Sequence, residues 1–394
     1  ASSGETIEVT NPANGAVIDT VPAATPEDVA SAVAYAKAAQ KEWVKVPIHE
    51  RVDYMMKFLD LVERDKEELA RTLSNETGKP ITEARAEIGN IPIAFKAFSE
   101  RVKHLYDEVV PAGIEAGQEK TVLITRREPL GVVVAVIPFN FPCDLFDQKV
   151  APALLSGNAV IVKPSTDNPL TLCMLTQLLG EAGVTPGAAQ IVTGRGSVVG
   201  HELCANPDVD LVTLTGSTQV GIETAEVCAK TLTHTALELG GNDAFIVMSD
   251  ADIDLATDEL IWGRMYNTGQ VCCASKRFLV HKDVVDEFTK KAVEKISALK
   301  QGDPADDATQ IGCLISEHAA KKVEEQVNLT VEQGGKIILG GKRNGAFYEP
   351  TVIVDVPKTA DVASDMEIFG PVVPIITFET EEAVSYTHLR AHET

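Results

Sequence analysis

The chain has 394 residues, of which 44% are apolar, 24% are charged and 5% are aromatic. This composition excludes a small disulfide-rich fold, a collagen and a disordered acidic tail, and at roughly 100–200 residues per domain the length indicates two or three domains. The net charge of −23 repels phosphate backbones and anionic lipids, so nucleic acid and membrane surfaces are poor candidate partners.

The first residues and the cysteines indicate the cellular compartment in which the protein functions. Residues 1–5 lack the basic flank and apolar core of a secretion signal. The longest apolar run, residues 131–139, is shorter than the roughly 18–20 residues that a membrane helix needs. Seven cysteines form an odd set without a C-x-x-C pair, which favours free thiols over disulfides or a zinc site. We therefore expect a cytoplasmic protein without a metal centre.

The N-terminal part is predicted to be helical. Apolar residues recur at three- and four-residue spacing from residue 26 to about 73, which predicts amphipathic helices and a mostly helical first hundred residues. Proline and glycine then punctuate residues 109–129. The apolar end of that stretch, residues 121–125, predicts a β-hairpin arm.

Short apolar runs separated by helix-length segments follow the arm. This alternation predicts β-α-β units in a parallel, doubly wound sheet, which binds ligands at the carboxyl ends of its strands. The predicted strands are 132–137, 159–162, 190–193, 211–215 and 244–247. A second α/β layer is predicted to begin near Asn242, with helices at 283–299 and 317–333 and strands at 336–339 and 351–354.

A candidate nucleophile lies in the stretch Asn-Thr-Gly-Gln-Val-Cys-Cys at 267–273. Gly269 permits a close turn just before Cys272, and a thiolate attacks a carbonyl carbon when its approach is open. The alternative is that Cys272, next to another cysteine in an apolar setting, is structural.

Two further polar residues suit the same chemistry. Glu238, followed by two glycines at a predicted strand end, could activate a water as a general base, although an isolated glutamate can equally be a solvated or paired side chain. Asn140 lies between two prolines after strand 132–137 and could donate to an oxyanion together with a backbone N–H near Cys272. It could also be an ordinary turn residue.

These motifs, with segments 162–165, 215–221 and 367–372, resemble the aldehyde dehydrogenase superfamily in their order and approximate spacing. The likeness runs from Asn-Pro-Ala-Asn-Gly at 11–15, through Glu-Thr-Gly-Lys-Pro at 76–80, to about Thr380. It implies an α/β fold with a Rossmann-type cofactor domain and a second α/β catalytic domain. The implied boundaries are 1–110 and 129–240 for the dinucleotide-binding domain, 111–128 for a β-hairpin oligomerisation arm and 241–384 for the catalytic domain.

The resemblance implies the hydrolytic, non-acylating reaction of this superfamily. Cys272 would form a thiohemiacetal with the aldehyde, and Asn140 with the Cys272 amide would hold the oxyanion. After hydride transfer to the nicotinamide, Glu238 would activate the water that hydrolyses the thioester. The presence of Glu238 favours hydrolysis over transfer to coenzyme A.

The resemblance also implies NADP or NAD as the cofactor. Lys163 would bind the adenosine ribose, Ser217 and its helix start the pyrophosphate, and Glu367 the nicotinamide ribose. The cofactor-binding residues implied are Ile137, Pro138, Phe139, Lys163, Ser165, Thr166, Gly196, Gly216, Ser217, Gly221, Glu367 and Phe369.

Two departures from the superfamily pattern bear on specificity. Thr166 stands where many NAD-preferring relatives carry a glutamate that would repel a 2′-phosphate, so we expect NADP to be accepted. The alternative is that Thr166 only begins a helix cap. Cys143, Asp144, Leu145 and Gln148 would lie on a helix along the substrate tunnel, and Gln148 favours a small or polar aldehyde.

The C-terminal end shows the largest departure from the superfamily pattern. Superfamily members continue for roughly 80–100 residues past segment 367–372, which implies a C-terminally truncated chain. Its arm would lack a partner strand, and assembly into the superfamily's homodimer or homotetramer would be impaired. Residues 385–394 leave the pattern, and we expect a foreign tail rather than a metal site built from His388 and His392. The alternative function is therefore an inactive fragment that retains only nucleotide binding.

Overall fold

A computed structural model describes residues 2–388 of the chain. The predicted foreign tail at 385–394 therefore lies partly outside the described residues, from 389 onward. Within the described part no helix is both long enough and apolar enough to cross a lipid bilayer.

The N-terminal part combines an antiparallel hairpin with three helices. Its elements are β1 (Thr6–Thr10), β2 (Val17–Pro22), α1 (Pro26–Trp43), α2 (Ile48–Thr77) and α3 (Ile81–Val102). Thr25 and Asp28 form a capping box that starts α1, and Gly78, with a left-handed φ of 75°, ends α2. The three helices confirm the helical prediction. The hairpin was not predicted, although β1 alternates polar and apolar residues; most residues of both strands are exposed.

The predicted arm is a short hairpin of β3 (Glu108–Val110) and β4 (Leu123–Thr125), paired antiparallel. Its apolar side chains face solvent: Val109 is 71% exposed, Val122 76% and Ile124 60%. The arm thus buries little of its own apolar surface in this chain.

The first sheet contains five parallel strands in the order β7-β6-β5-β8-β9. Its elements are β5 (Val132–Val136), α4 (Pro142–Leu155), β6 (Ala159–Lys163), α5 (Leu170–Glu181), β7 (Ala189–Ile191), α6 (His201–Ala205), β8 (Leu211–Thr215), α7 (Thr218–Cys228) and β9 (His234–Glu238). Chain order reverses between β5 and β8. In a doubly wound sheet this switch point opens a crevice at the carboxyl ends of the two strands, and Asn140 and Ser217 both follow those ends.

A second sheet has the order β10-β11-β16-β15-β12, in which only the β12–β15 pair is antiparallel. Its region contains β10 (Ala244–Val247), α8 (Ile253–Met265), β11 (Arg277–His281), α9 (Val285–Ser297), α10 (Glu317–Glu332), β12 (Lys336–Leu339), β13 (Arg343–Asn344), β14 (Phe347–Tyr348), β15 (Thr351–Val354), β16 (Val372–Phe378) and α11 (Glu381–His388). The predicted strand 244–247 therefore belongs to this sheet, as the predicted start of a second layer near Asn242 requires.

The burial of the parallel strands on both faces explains why their sequences are continuous apolar runs. Residues 132–135 of β5 and all of β6 are buried on both faces, because helices cover the first sheet on each side. Trp43 of α1 is fully buried, and its indole N–H donates to the Leu154 carbonyl at 2.9 Å. The α/β architecture with parallel sheets confirms the predicted fold class.

Candidate active site

The loop that carries Cys272 begins in an unusual backbone conformation. Asn267, Thr268 and Gly269 have consecutive left-handed φ values of 49°, 54° and 76°. A Cβ on Gly269 would lie 2.3 Å from the backbone carbonyl of Gly370, so only glycine allows these two chain segments to approach. Such conformations persist only where surrounding contacts hold them.

Those contacts come from three other parts of the chain. The Asn267 backbone N–H donates to the Glu83 carboxylate at 2.7 Å, and its side-chain amide donates to the Asn140 carbonyl at 2.9 Å. The Thr268 hydroxyl accepts from the Gly312 N–H at 3.1 Å. Burial raises the pKa of Glu83 to about 7. The loop that carries Cys272 is therefore held by α3 and by the turn after β5.

Asn140 lies in that turn and is 5% exposed. Its Nδ2 donates to the Gln270 carbonyl at 3.1 Å, which uses one of the two amide hydrogens. The Asn140 backbone carbonyl also accepts from Lys79 Nζ at 2.9 Å, and Lys79 forms a fully buried ion pair with Glu87. This geometry fixes the amide next to the Cys272 loop.

Cys272 and Cys273 are both exposed. Partial removal of water raises the pKa of the Cys272 thiol, and the neighbouring Cys273 adds to the effect. Buried Lys276 donates to the Cys272 carbonyl and pairs with Glu367 at 2.9 Å. The loop is thereby tied to the 367–372 segment.

Cys272 lies where two cavities meet. One, which we call the α4 cavity, has a volume of about 670 Å³, and the other, the switch-point cavity, has about 390 Å³. Both are lined by the same four residues at their junction: Asn140, Thr215, Leu239 and Cys272. A group in either cavity can thus approach the thiol.

One face of α4 lines the α4 cavity. Asp144, Leu145, Gln148 and Lys149 share this face because residues three and four apart lie on the same side of a helix. Cys143 lies on α4 as expected, but it is fully buried off the cavity lining, and its backbone N–H donates to Glu87 at 2.8 Å.

Glu238 ends β9 opposite this helix and lines the same cavity. Its side chain is exposed. A carboxylate at a cavity wall can accept a proton from a water that enters the cavity.

Lys149 is a site residue that the sequence analysis missed. It is 7% exposed, lines the α4 cavity and donates to the Thr213 hydroxyl at 3.0 Å. Burial lowers its pKa to about 8, while the charge of Glu238 opposes that shift. The sequence analysis could have selected Lys149 because it directly follows Gln148 and lies four residues after Leu145, on the predicted helix along the substrate tunnel.

The switch-point cavity brings together several predicted cofactor residues. Pro138, Phe139, Gly216, Ser217, Glu367 and Phe369 line it. Ser217 caps the N-terminus of α7 by accepting from the Val220 N–H at 3.4 Å, and Phe139 meets Phe369 edge to face at a centroid distance of 6.0 Å. A helix N-terminus beside a glycine turn favours an anion.

Other predicted cofactor residues do not line this cavity. Ile137 is buried in the core, and Gly221 packs against Leu239. Ser165 and Gly196 also lie off the lining, in the loops after β6 and β7.

Lys163 and Thr166 lie near the cavity but point to backbone acceptors. Lys163 Nζ donates to the Pro164 carbonyl at 2.7 Å, and burial lowers its pKa to about 8. The Thr166 hydroxyl donates to the Gly194 carbonyl at 3.4 Å. Asp167, which the sequence analysis did not select, lines the cavity instead and interacts electrostatically with Lys163.

The alternative role for Thr166, a helix cap, is not what the structure shows. Glu76, buried beneath the start of α5, accepts from the backbone N–H groups of Leu170 and Thr171 at 2.7 and 2.9 Å. Glu76 therefore caps α5, which begins beyond Thr166.

Comparisons with known proteins agree with this arrangement. The aldehyde dehydrogenase family profile matches residues 1–387. The chain is 37% identical to the NADP-dependent succinate-semialdehyde dehydrogenase GabD of Escherichia coli K12, over 98% of this chain and 79% of that protein. It is 39% identical to the NADP-dependent D-glyceraldehyde dehydrogenase of Picrophilus torridus, over 95% of this chain and 76% of that protein.

Solved structures show the same likeness. The crystal structure of an NADP-dependent enzyme of E. coli superposes with a TM-score of 0.94 at 37% identity, and the match covers 98% of this chain and 80% of that one. The profile match over nearly the whole chain, together with these relatives, shows that the chain belongs to the aldehyde dehydrogenase family.

Proposed function

We propose that this protein oxidises a small or polar aldehyde to its carboxylic acid with NADP, and also accepts NAD. The observation that carries the proposal is the position of Cys272 at the junction of two cavities, with Asn140 beside it and Glu238 in one of them. The aldehyde would enter the α4 cavity, and the dinucleotide would occupy the switch-point cavity.

The residues of the switch-point cavity suit a dinucleotide. The N-terminus of α7, with Ser217 and Gly216, offers backbone N–H groups to a pyrophosphate. Glu367 can accept from ribose hydroxyls, and the aromatic pair Phe139 and Phe369 offers apolar surface to a ring. Bound nicotinamide supplies the hydride acceptor. NADP use is supported by the NADP-dependent relatives.

The thiolate form of Cys272 attacks the aldehyde carbon, and the carbonyl becomes an oxyanion in a tetrahedral thiohemiacetal. The second N–H of the Asn140 amide and the backbone N–H of Cys272 are the donors for that oxyanion. Loss of hydride, for which bound nicotinamide would be the acceptor, leaves a thioester on Cys272. Glu238 then removes a proton from water, whose attack on the thioester carbon breaks the carbon–sulfur bond and releases the acid and the Cys272 thiolate. The proton on Glu238 passes to solvent water.

Steady-state assays test this mechanism. With an aldehyde panel and either cofactor, absorbance of the reduced nicotinamide should rise. Cys272→Ala should abolish turnover and keep cofactor binding, whereas the matched variant Cys273→Ala should remain active. Glu238→Gln should retain a first burst of reduced cofactor but lose steady turnover. Cofactor binding without turnover in the unaltered chain would instead support a fragment that only binds nucleotide.

We also propose that the protein self-associates through its arm. The exposed apolar residues of the β3–β4 hairpin, such as Val109 and Val122, favour burial against a second copy. Charged replacements at both positions should then lower the mass measured by light scattering. An unchanged mass would oppose this proposal.

A further inference from the structure

The charges that line the α4 cavity are few. Among the described residues, its ionisable acids and bases other than cysteine and tyrosine are Asp144, Lys149 and Glu238, without arginine or histidine. The Lys149 ammonium already donates to Thr213 and lies in the field of Glu238. The lining therefore provides no additional cation for a negatively charged substrate end.

Among the charged residues of the α4 cavity, Asp144 is notable because its hydrogen bonding is incomplete. One of its oxygens accepts a long hydrogen bond of 3.4 Å from the Asn90 amide. The other, Oδ1, is buried and has no hydrogen-bond partner among the described residues. A buried acceptor without a donor is unfavourable, and a donor that reaches it from a bound molecule would relieve that cost.

The state of Asp144 decides which molecule fits. Burial raises its pKa to about 6, and the charge of Glu87 adds to this effect, so the carboxyl is mostly ionised at pH 8. An ionised carboxylate accepts hydrogen bonds from hydroxyl groups and repels another carboxylate. Gln148 and Tyr266, which also carry polar groups, line the same cavity.

We propose that the α4 cavity selects aldehydes whose far end is uncharged and carries hydroxyl groups, and that Asp144 is the residue that rejects aldehydes ending in a carboxylate. This inference rests on the proposed function, since it names the substrate class of the same site. Asp144 acts here as a specificity determinant and takes no part in the bond changes at Cys272.

Two matched substrate pairs test the proposal at pH 8. Succinate semialdehyde and its methyl ester differ in the terminal charge, and glyceraldehyde and propanal differ in hydroxyl groups. We expect kcat/KM to be about tenfold or more higher for the ester than for the acid, since like charges at close range repel each other. The kcat/KM for glyceraldehyde should be higher than that for propanal. A preference for succinate semialdehyde over its ester would overturn the proposal.

Asp144→Asn keeps the shape and removes the charge. It should raise the acid-to-ester ratio of kcat/KM about tenfold. The matched control is Asp147→Asn on the same helix: Asp147 is buried off the cavity lining, and burial raises its pKa to about 9, so it is largely uncharged at pH 8. The control should leave the ratio unchanged.

The ratio is measured within one preparation, so a reduced active fraction cancels. An unchanged ratio in Asp144→Asn would refute the role of Asp144. Absence of turnover with all four aldehydes in the unaltered chain would refute the proposed function, and the inference with it. Turnover without a preference for the ester over the acid would refute the inference alone.

Discussion

The Nζ of Lys79 donates to the backbone carbonyl oxygen of Asn140 at 2.9 Å, and the same ammonium is paired with buried Glu87. Glu87 in turn accepts from the Cys143 N–H at 2.8 Å, at the start of α4. One buried ion pair from the N-terminal helices thus fixes both the amide proposed to hold the oxyanion and the first turn of the helix that lines the α4 cavity.

Lys79→Met should be strongly destabilising, because it leaves the Glu87 charge buried without its partner. We expect the free energy of unfolding in urea to fall by about 3–5 kcal/mol. Lys45→Met is the control, since Lys45 pairs with Glu42 on the surface and such pairs contribute little.

The double variant Lys79→Met/Glu87→Met separates stability from catalysis. Removing both charges should restore most of the lost stability, since apolar pairs of similar volume replace buried ion pairs well. We expect kcat to be low in Lys79→Met and to stay low in the double variant, because in both the Asn140 carbonyl has lost the Lys79 donor. Recovery of both quantities would mean that the pair has no positioning role.

Gly269→Ala should impair activity by displacing the loop that carries Cys272, the proposed nucleophile. The new methyl group would meet the Gly370 backbone at 2.3 Å, in a left-handed conformation that itself disfavours alanine. Gly15→Ala is the control: Gly15 has a similar φ of 74°, but a Cβ there meets nothing within 4 Å. Both variants carry the backbone penalty of about 1–2 kcal/mol. Only Gly269→Ala should lower kcat/KM, by about tenfold or more; equal kinetics in the two would disprove the role of this close approach.

Lys149→Met should change the pH dependence of kcat. Burial lowers the pKa of the Lys149 ammonium to about 8, so this side chain loses its charge as the pH rises through that value. The kcat of the unaltered protein should therefore change near pH 8, and Lys149→Met should abolish that change. Lys149→Arg stays charged over this range and should keep the kcat that the unaltered protein has below pH 8. A change near pH 8 that persists in Lys149→Met would show that Lys149 is not its origin.

The preference between NADP and NAD should depend on Asp167 and on pH. Asp167→Asn removes a negative charge near Lys163, so kcat/KM with NADP should rise relative to that with NAD. Since Lys163 is charged below its lowered pKa of about 8, the KM for NADP should increase as the pH rises above 8. Asp208→Asn, on the surface beside Lys37, is a control that should leave the preference unchanged.

Local patterns predicted much of the fold. The buried strands β5, β6 and β8 and the helices α9 and α10 were placed within one or two residues, because their apolar periodicity is strong. β16 was missed although it is the central strand of the second sheet. Its Pro374 argues against a central strand, yet it pairs in parallel with Ile353 of β15.

The candidate site was predictable only in part. Cys272, Asn140 and Glu238 could be selected by residue type and family resemblance, but their meeting point depends on sheet order, which periodicity does not specify. The contribution of Lys79, Glu83 and Lys149 arises from contacts between residues distant in sequence or from burial within the folded chain. Such relationships leave no local pattern to read.

The junction of the two cavities has a consequence for how this protein can diverge. The α4 face lines one cavity and the α7 N-terminus lines the other. With the aldehyde and the dinucleotide in the cavities proposed for them, a substitution on either element would change the recognition of one partner and spare the other. Asn140, Thr215, Leu239 and Cys272 belong to both, so a change at these four positions would alter both partners at once. Specificity for the aldehyde and for the dinucleotide can therefore evolve as separable modules around a shared, constrained centre.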